Sequence, residues 1–217
     1  MFEEVPNIRV PQEWFFGPKH QEALRASQGA IMLEVHADVV CRDWAALVVA
    51  CRSAFDAIPN LGVWSPELSG TPWTTWRVRT HPLERGSIQD VVCTDALVWA
   101  LHEDLVSASS EWSIAGNNLG WGLDWATCAE ALASGKRVVR DLSIQARHRR
   151  GSGYVKTDAG EQEAVFFSQF TSERQALIQL MHVVPYLNAR IRHPGVKRFL
   201  DWKPLHIARE HFRGFLE

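Results

Sequence analysis

Three short stretches of this 217-residue sequence combine residue types that can do chemistry together. The first is His36-Ala37-Asp38, which directly follows the apolar run at residues 30–35. A short apolar run predicts a buried strand, and a carboxylate just past the end of such a strand lies where open α/β sheets bind ligands. Asp38 is there a candidate ligand for Mg²⁺ or Mn²⁺, which prefer oxygen ligands and bridge diphosphates. The alternative is that Asp38 only caps a turn before Asp43.

The second stretch is Gly120-Trp121-Gly122-Leu123-Asp124. Two glycines let the backbone turn sharply or approach a ligand closely. Asp124 begins a helix predicted over residues 124–133, and we expect the positive end of the helix dipole to keep its carboxylate ionised. An ionised carboxylate at the edge of a cleft can accept a proton from an attacking hydroxyl group. The alternative is an ordinary aspartate at a helix start, with Trp121 filling the core.

The third stretch is Arg147-His148-Arg149-Arg150-Gly151-Ser152-Gly153-Tyr154, after a strand predicted over residues 137–142. Guanidinium groups and the backbone N–H groups of a glycine-rich loop can bind phosphates. His148 can complete a metal site or contact a diphosphate. The alternative is a solvated basic loop. A cluster of tryptophans at positions 64, 73 and 76 could stack on sugar rings, but core packing is the favoured interpretation.

The elements that must position these stretches alternate between strands and helices. Apolar periodicity, turn residues and one helix cap predict the following order: helix 15–26, strand 30–35, helix from Asp43 to Pro59, strand 61–64, an irregular segment 65–89 with a strand at 76–79, strand and turn 91–101, one helical turn 103–106, helix 124–133 ended by Gly135, strand 137–142, and helices from Glu161 interrupted by Pro185 and Pro194. This alternation predicts an α/β core.

Composition narrows the class of protein further. Hydrophobic residues make up 46% of the chain and charged residues 22%, which excludes a disordered chain. No apolar stretch is long enough to cross a bilayer and the first residues do not form a signal peptide, so we expect a cytoplasmic protein without a membrane segment. The cysteines lie in apolar stretches without the spacing of a metal site and predict free, buried thiols at positions 41, 51, 93 and 128.

Charge is distributed unevenly along the chain. Residues 1–135 hold 8 Lys/Arg against 17 Asp/Glu, and residues 136–217 hold 15 against 8. The net formal charge is therefore −9 in the first part and +7 in the second. This asymmetry is compatible with a cleft that binds a metal on one side and phosphates on the other, with self-association, or with contact between the basic part and nucleic acid.

The order of the three stretches, with Thr94-Asp95 between the first two, resembles the GT-A glycosyltransferases of the inverting family 2. The resemblance covers about residues 8–155, and the Gly-Trp-Gly-Leu-Asp block with its spacing to His148 is its most specific part. It implies a truncated, Rossmann-like GT-A core over residues 1–157, followed by a C-terminal helical extension over residues 158–217 that packs on the core.

The resemblance also assigns roles by position. Asp38 matches the last acid of the family's Asp-x-Asp metal motif, Asp124 matches the catalytic base, and His148 matches the histidine near the metal. His36 replaces the first acid of the metal motif, which implies either weaker metal binding or His36 as a further metal ligand. The remaining positions are the acceptor-side residues Asp95 and Trp121 and the phosphate-binding residues Arg147, Arg149, Arg150 and Tyr154.

These roles imply an inverting, hexosyltransferase-like enzyme. It would move a sugar from a nucleotide-sugar donor to a hydroxyl group of a glycan or small molecule. The expected donor is a UDP-sugar, and the expected cofactor is Mn²⁺ or Mg²⁺. The family's strand–helix–strand unit that holds the nucleoside has no counterpart before Asn7. We therefore expect the nucleoside pocket to be absent, altered, or completed by a partner chain such as a second copy in a homodimer.

Two other functions stay open at this point. The acceptor could be modified DNA, as in phage-type DNA-modifying sugar transferases, or the chain could be a non-catalytic glycosyltransferase-like subunit that binds a partner. An enzyme requires Asp38, Asp124 and His148 to come together in one cleft, so their positions in the fold are decisive.

Overall fold

The computed structural model describes Pro11 and residues 14–81, 86–148 and 156–192. These residues form a mixed α/β fold, which confirms the predicted α/β class. The strands are β1 Ile31–Val35, β2 Val39–Cys41, β3 Leu61–Ser69, β4 Ile88–Asp90, β5 Val98–His102 and β6 Arg137–His148. The helices are α1 Phe16–Ala26, α2 Trp44–Ala57, α3 Thr75–Val78, α4 Glu103–Ser110, α5 Leu123–Ala133, α6 Lys156–Phe167 and α7 Ser172–Arg192. Among the described residues, no helix is both long and apolar enough to cross a membrane.

The strands form one mixed sheet in the order β1-β5-β3-β6-β2, and β4 also pairs with β6. Strands β3 and β6 are parallel, whereas β5 runs antiparallel to both of its neighbours, β1 and β3. Strands β1, β3 and β6 therefore point in the same direction and end at the same edge of the sheet. We call this edge the carboxyl edge.

Helices cover both faces of the sheet. The smaller core lies between the sheet and α2, which contributes Leu47 and Cys51. The larger core takes side chains from α1, α4, α5, α6 and α7 on the opposite face. Because neighbouring strand residues point to opposite faces, Val63 of β3 enters the larger core and Trp64 enters the smaller one.

Local signals explain why two of these helices begin and end where they do. The side chain of Asp43 accepts a hydrogen bond at 2.9 Å from the backbone N–H of Ala46, so Asp43 is the predicted N-cap of α2. Helix α5 ends at Ala133 and is followed two residues later by Gly135, which has a φ of 73°. The Gly135 and Lys136 N–H groups bond back to the carbonyls of Leu132 and Ala131, as expected of a glycine-terminated helix.

Other elements differ from the sequence predictions. The segment predicted as a strand at 76–79 is the short helix α3, because its N–H groups bond to the carbonyls of Thr74 and Thr75 three or four residues back. Strands β2 and β4, of three residues each, were not predicted. Helix α7 continues through Pro185, since side chains on both sides of the proline, Met181 and Asn188, are buried. Pro194 lies outside the described residues.

The C-terminal extension contributes to the larger core through Phe166 of α6 and Ile178 and Met181 of α7. The predicted boundary between residues 157 and 158 falls inside α6. The division of the chain into two domains, and the specific GT-A fold, remain predictions.

Candidate functional site

The turn between β1 and β2 and the end of β6 meet at the carboxyl edge. Asp38 lies in this turn, and its Oδ2 is 2.9 Å from Nε2 of His148, the last residue of β6. Val39 pairs with His148 across the strands, which fixes the two segments in register. Two residues that are 110 positions apart in the sequence are thus joined by a direct hydrogen bond.

His36 lies immediately after β1, beside this pair. Its backbone N–H donates to the carbonyl of Leu97 at 2.8 Å, and its ring packs against Phe16 with centroids 4.4 Å apart. Its Nε2 is buried and makes no hydrogen bond within the described part of the chain. Burial lowers the pKa of His36, against the opposing effect of Glu34 and Asp38. The ring is therefore neutral at neutral pH, which is the form that binds metals.

A buried polar network supports His36 from the side of α1. Oε2 of Glu34 lies 2.7 Å from Nδ1 of the fully buried His20 and accepts a hydrogen bond from Nε1 of Trp99 at 2.8 Å. Burial opposes ionisation of Glu34, but the charge of His20 and the two hydrogen bonds outweigh it and lower the pKa of Glu34. Phe16 contacts both His20 and His36, so the same ring packs against the network and against the candidate site.

Asp95 is a further acidic residue at the carboxyl edge. It precedes β5, and because β5 is antiparallel to β1 and β3, the residues before its start lie at the carboxyl edge. Its carboxylate accepts a hydrogen bond from the Thr71 hydroxyl, in the loop after β3. The charge of Asp95 acts on His36 on one side and on Asp124 on the other.

Asp124 is the second residue of α5. Helix α5 leads directly into the start of β6 at the opposite edge of the sheet, so its own N-terminus lies at the carboxyl edge. The Trp125 N–H donates to Oδ1 of Asp124 at 2.9 Å. Burial nevertheless raises the pKa of Asp124 well above its usual range, and the carboxylates of Asp95 and Glu163 raise it further. The direction of this shift runs against the expectation that the helix start keeps Asp124 ionised, because burial outweighs the effect of this hydrogen bond.

The two glycines before Asp124 serve the packing of helices. Gly122 caps α5 in the left-handed region with a φ of 81°. A Cβ at Gly122 would lie 2.7 Å from the Phe167 ring and 3.1 Å from Cγ of Glu163, so the close approach is to α6. Trp121 is partly exposed, and its carbonyl accepts a hydrogen bond from the Asn117 side chain at 2.8 Å.

Some predicted residues are not brought together with the others. Arg147 is exposed on β6, where it pairs with Val40 of β2. Arg149, Arg150 and Tyr154 lie outside the described residues. Within the described ranges, no group of three or more His, Cys, Asp or Glu side chains has the geometry to hold a metal ion.

Sequence reasoning missed three residues of this region. Thr71 follows the end of β3. It would have been a candidate if that strand had been predicted to continue beyond Trp64. Arg140 is fully buried on β6 and acts electrostatically on Asp95. Glu163 acts electrostatically on Asp124 from α6, and nothing in the sequence near it indicates this.

Comparison with known proteins does not identify the chain: no protein-family model matches it, and no curated protein matches it. A function for the chain therefore has to be inferred from the side chains at the carboxyl edge. These fall into two groups, which we call the donor half (His36, Asp38 and His148) and the acceptor half (Asp95 and Asp124).

Proposed function

We propose that the protein is an inverting glycosyltransferase that uses a nucleotide-sugar donor. The observation that carries this proposal is that the donor half and the acceptor half lie at the same edge of the sheet, where Asp95 acts electrostatically on both His36 and Asp124. The donor half comes from the ends of β1 and β6, and the acceptor half from the loop before β5 and the start of α5. Ligands of open α/β sheets bind outside the carboxyl ends of the strands, which is where both halves lie.

The donor half is suited to a divalent cation that a diphosphate brings with it. Mg²⁺ is usually held by one or two carboxylates together with substrate phosphates and water, and not by a cage made only of protein groups. Asp38 would provide the carboxylate and His148 an imidazole of the kind that Mn²⁺ accepts. The geometry does not make His36 a third ligand, since no group of three such side chains in the described ranges could hold a metal ion. When bound, the cation supplies positive charge to the leaving diphosphate.

The acceptor half supplies the base. Asp124 takes the proton of an acceptor hydroxyl as its oxygen forms a bond to the anomeric carbon of the sugar. The bond from that carbon to the diphosphate breaks at the same time, and its electron pair leaves with the diphosphate. A single displacement of this kind inverts the configuration of the anomeric carbon.

The raised pKa of Asp124 bears on when it can act. A carboxyl group takes a proton only in its ionised form, and burial raises the pKa of Asp124. Sugar transfer is therefore expected to speed up as the pH rises and this carboxyl group loses its proton.

Donor binding is tested by calorimetric titration of UDP into the protein with and without Mn²⁺. We expect binding that depends on Mn²⁺ in the wild type and is lost in Asp38→Asn. The matched control is Asp56→Asn, since Asp56 is an exposed aspartate near the end of α2, which leads into the start of β3 at the opposite edge of the sheet. Binding that is equal in all three proteins would contradict the assignment of the donor half.

Catalysis is tested by sugar transfer from UDP-sugars to a panel of glycan and small-molecule acceptors. Asp124→Asn is expected to lower the rate by about 10²- to 10⁴-fold, the usual contribution of a general base, while UDP binding persists. If UDP does not bind, titration with GDP, CMP and dTDP distinguishes another nucleotide from the alternative of a non-catalytic subunit, which would bind none of them.

A further inference from the structure

The structure separates the three tryptophans that the sequence offers for stacking on sugar rings. Trp64 is fully buried in the smaller core. The guanidinium carbon of Arg77 lies over the ring of Trp76, 5.3 Å from its centroid. Trp73 is partly exposed and lies in the loop after β3, at the carboxyl edge. Trp73 is therefore the best placed of the three for contact with a ligand at this edge.

Hydrogen bonds fix the position of Trp73 relative to Asp95. The backbone N–H of Trp73 donates to Oγ1 of Thr71 at 3.1 Å. The same Thr71 hydroxyl donates its proton to Oδ2 of Asp95. A carboxylate has two acceptor oxygens, so this bond leaves Asp95 with acceptor capacity for a ligand. The loop after β3 thus holds an indole ring and a carboxylate side by side.

Ring packing places Trp73 close to Asp124 as well. The rings of Trp73 and Trp125 meet nearly at a right angle, with centroids 5.2 Å apart and an interplanar angle of 85°. Trp125 is buried, and its N–H donates to Oδ1 of Asp124 at 2.9 Å. In such a T-shaped pair the edge of one ring meets one face of the other. At least one face of the Trp73 indole is therefore not covered by Trp125.

We propose that Trp73 and Asp95 form a subsite for a neutral acceptor sugar, whose ring stacks on the indole of Trp73 and whose hydroxyl groups donate to Asp95. The C–H face of a sugar ring is apolar and packs on an aromatic ring, which is itself a large apolar surface. The carboxylate of Asp95 accepts hydrogen bonds from hydroxyl groups but repels phosphates, which favours a glycan over DNA as the acceptor. The inference rests on the proposed function, in which Asp124 is the base for the acceptor hydroxyl.

The test is calorimetric titration of four neutral disaccharides, cellobiose, maltose, lactose and chitobiose, into the protein with and without UDP and Mn²⁺. We expect at least one of them to bind and Trp73→Ala to weaken its binding about tenfold, the size of one aromatic contact. Trp73→Phe keeps an aromatic face and should retain part of the affinity. The matched control is Trp76→Ala, which removes another partly exposed tryptophan and should leave the affinity unchanged.

Equal affinity of the wild type and Trp73→Ala for the disaccharide overturns the inference, and so does a lack of binding of all four disaccharides. Binding of a single-stranded DNA oligonucleotide that is weakened by Trp73→Ala, without disaccharide binding, overturns the choice of a sugar. Should Trp73→Ala not fold, the ¹⁵N-indole NMR signal of Trp73 can be assigned from its absence in Trp73→Phe. This signal should shift when disaccharide is added to the wild type, and an unchanged signal overturns the inference.

Failure of the inference and failure of the proposed function give different results. If UDP binds with Mn²⁺ but none of the disaccharides binds, the sugar subsite is overturned and the donor half stands. If a disaccharide binds through Trp73 but no nucleotide binds and no sugar is transferred, the subsite stands and the protein is a sugar-binding protein without transferase activity.

Discussion

Gly70 is the residue that lets the ends of β3 and β6 come together at the donor half. It has a φ of 87°, and a Cβ at this position would overlap the carbonyl oxygen of His148. Gly70→Ala is expected to lower the free energy of unfolding by about 1–3 kcal/mol, the cost of a non-glycine residue in an unfavourable backbone region. It should also weaken Mn²⁺-dependent UDP binding, since His148 has to move.

Urea unfolding measures this change, and Gly160 of α6 provides the control. A Cβ on Gly160 would meet no atom within 4 Å. Because alanine favours a helix over glycine, Gly160→Ala should raise the free energy of unfolding by up to about 1 kcal/mol. Changes of the same sign in the two variants would argue against this account of Gly70.

Glu34, which bonds to His20 of α1, makes the free energy of unfolding depend on pH. Its folded-state pKa is lowered, so it contributes stability that is present above its unfolded pKa of about 4.3 and is lost as the pH falls through the lower folded value. Glu34→Gln should lower the free energy of unfolding at pH 7 by about 1–3 kcal/mol, typical of hydrogen bonds to a charged group. The difference from the wild type should shrink in acid below pH ~4. Glu111→Gln, at an exposed glutamate, should show neither effect.

The residues of the candidate site differ in how far the sequence predicts them. Asp38, Asp124 and His148 each stand at a recognisable junction, after a strand or at a helix start, so local patterns suffice to select them. Glu163 becomes part of the site only because α6 packs on Gly122. Such a contact depends on tertiary structure, and so does the burial that raises the pKa of Asp124 against the expected effect of the helix start.

Helix α6 presents a buried residue and an exposed residue at neighbouring positions. Phe166 is 1% exposed and contacts the rings of Trp112 and Phe170, whereas Val165 is 54% exposed. Phe166→Ala should lower the free energy of unfolding by about 3–5 kcal/mol because it opens a cavity in the larger core. Val165→Ala should change it by less than about 0.5 kcal/mol. Urea unfolding of both variants is the measurement, and a small effect of Phe166→Ala would mean that α6 is not part of the core.

The elements that the sequence predicts well are those that carry their own signals. Helix α2 has an N-cap at Asp43, and α5 is followed two residues later by Gly135. Strands β2 and β4 have three residues each and exist because they pair with β6, which is distant in the sequence. The same pairing extends β6 from the predicted end at residue 142 to His148, and so places His148 beside Asp38. Short strands depend on such partners more than on their own residues.

In the whole molecule, part of the uneven charge is paired by ion pairs between the acidic and the basic parts of the chain. Within the described ranges, three ion pairs of lysine or arginine join the acidic part of the chain, residues 1–135, to the basic part, residues 136–217: Asp104 with Lys136, Asp90 with Arg137 and Glu130 with Arg174, at 2.7, 2.8 and 2.6 Å. Another basic residue, Arg140, is buried in the sheet. The charge asymmetry is therefore in part a complementarity between two regions of the same chain, and it is weaker evidence for nucleic-acid binding than the sequence alone indicates.

The two cores on opposite faces of the sheet are expected to unfold together. Strands β3 and β5 send side chains into both cores, so loss of the sheet exposes both at once. Cys51 reports on the α2 side and Cys128 on the α5 side, and both are buried and free. Burial raises the pKa of each thiol to about 12, which suppresses the reactive thiolate in the folded state.

Thiol labelling at increasing urea concentrations, followed by peptide mass spectrometry, measures this directly. Cys51 and Cys128 should become labelled with the same urea midpoint, after correction for their reactivities in the fully unfolded chain. Earlier labelling of Cys51 would mean that α2 opens separately from the rest of the fold. UDP with Mn²⁺ should raise both midpoints equally, because a ligand that binds only the native state stabilises the whole cooperative unit. Protection of Cys128 alone would place ligand binding on the α5 side without coupling to the opposite face.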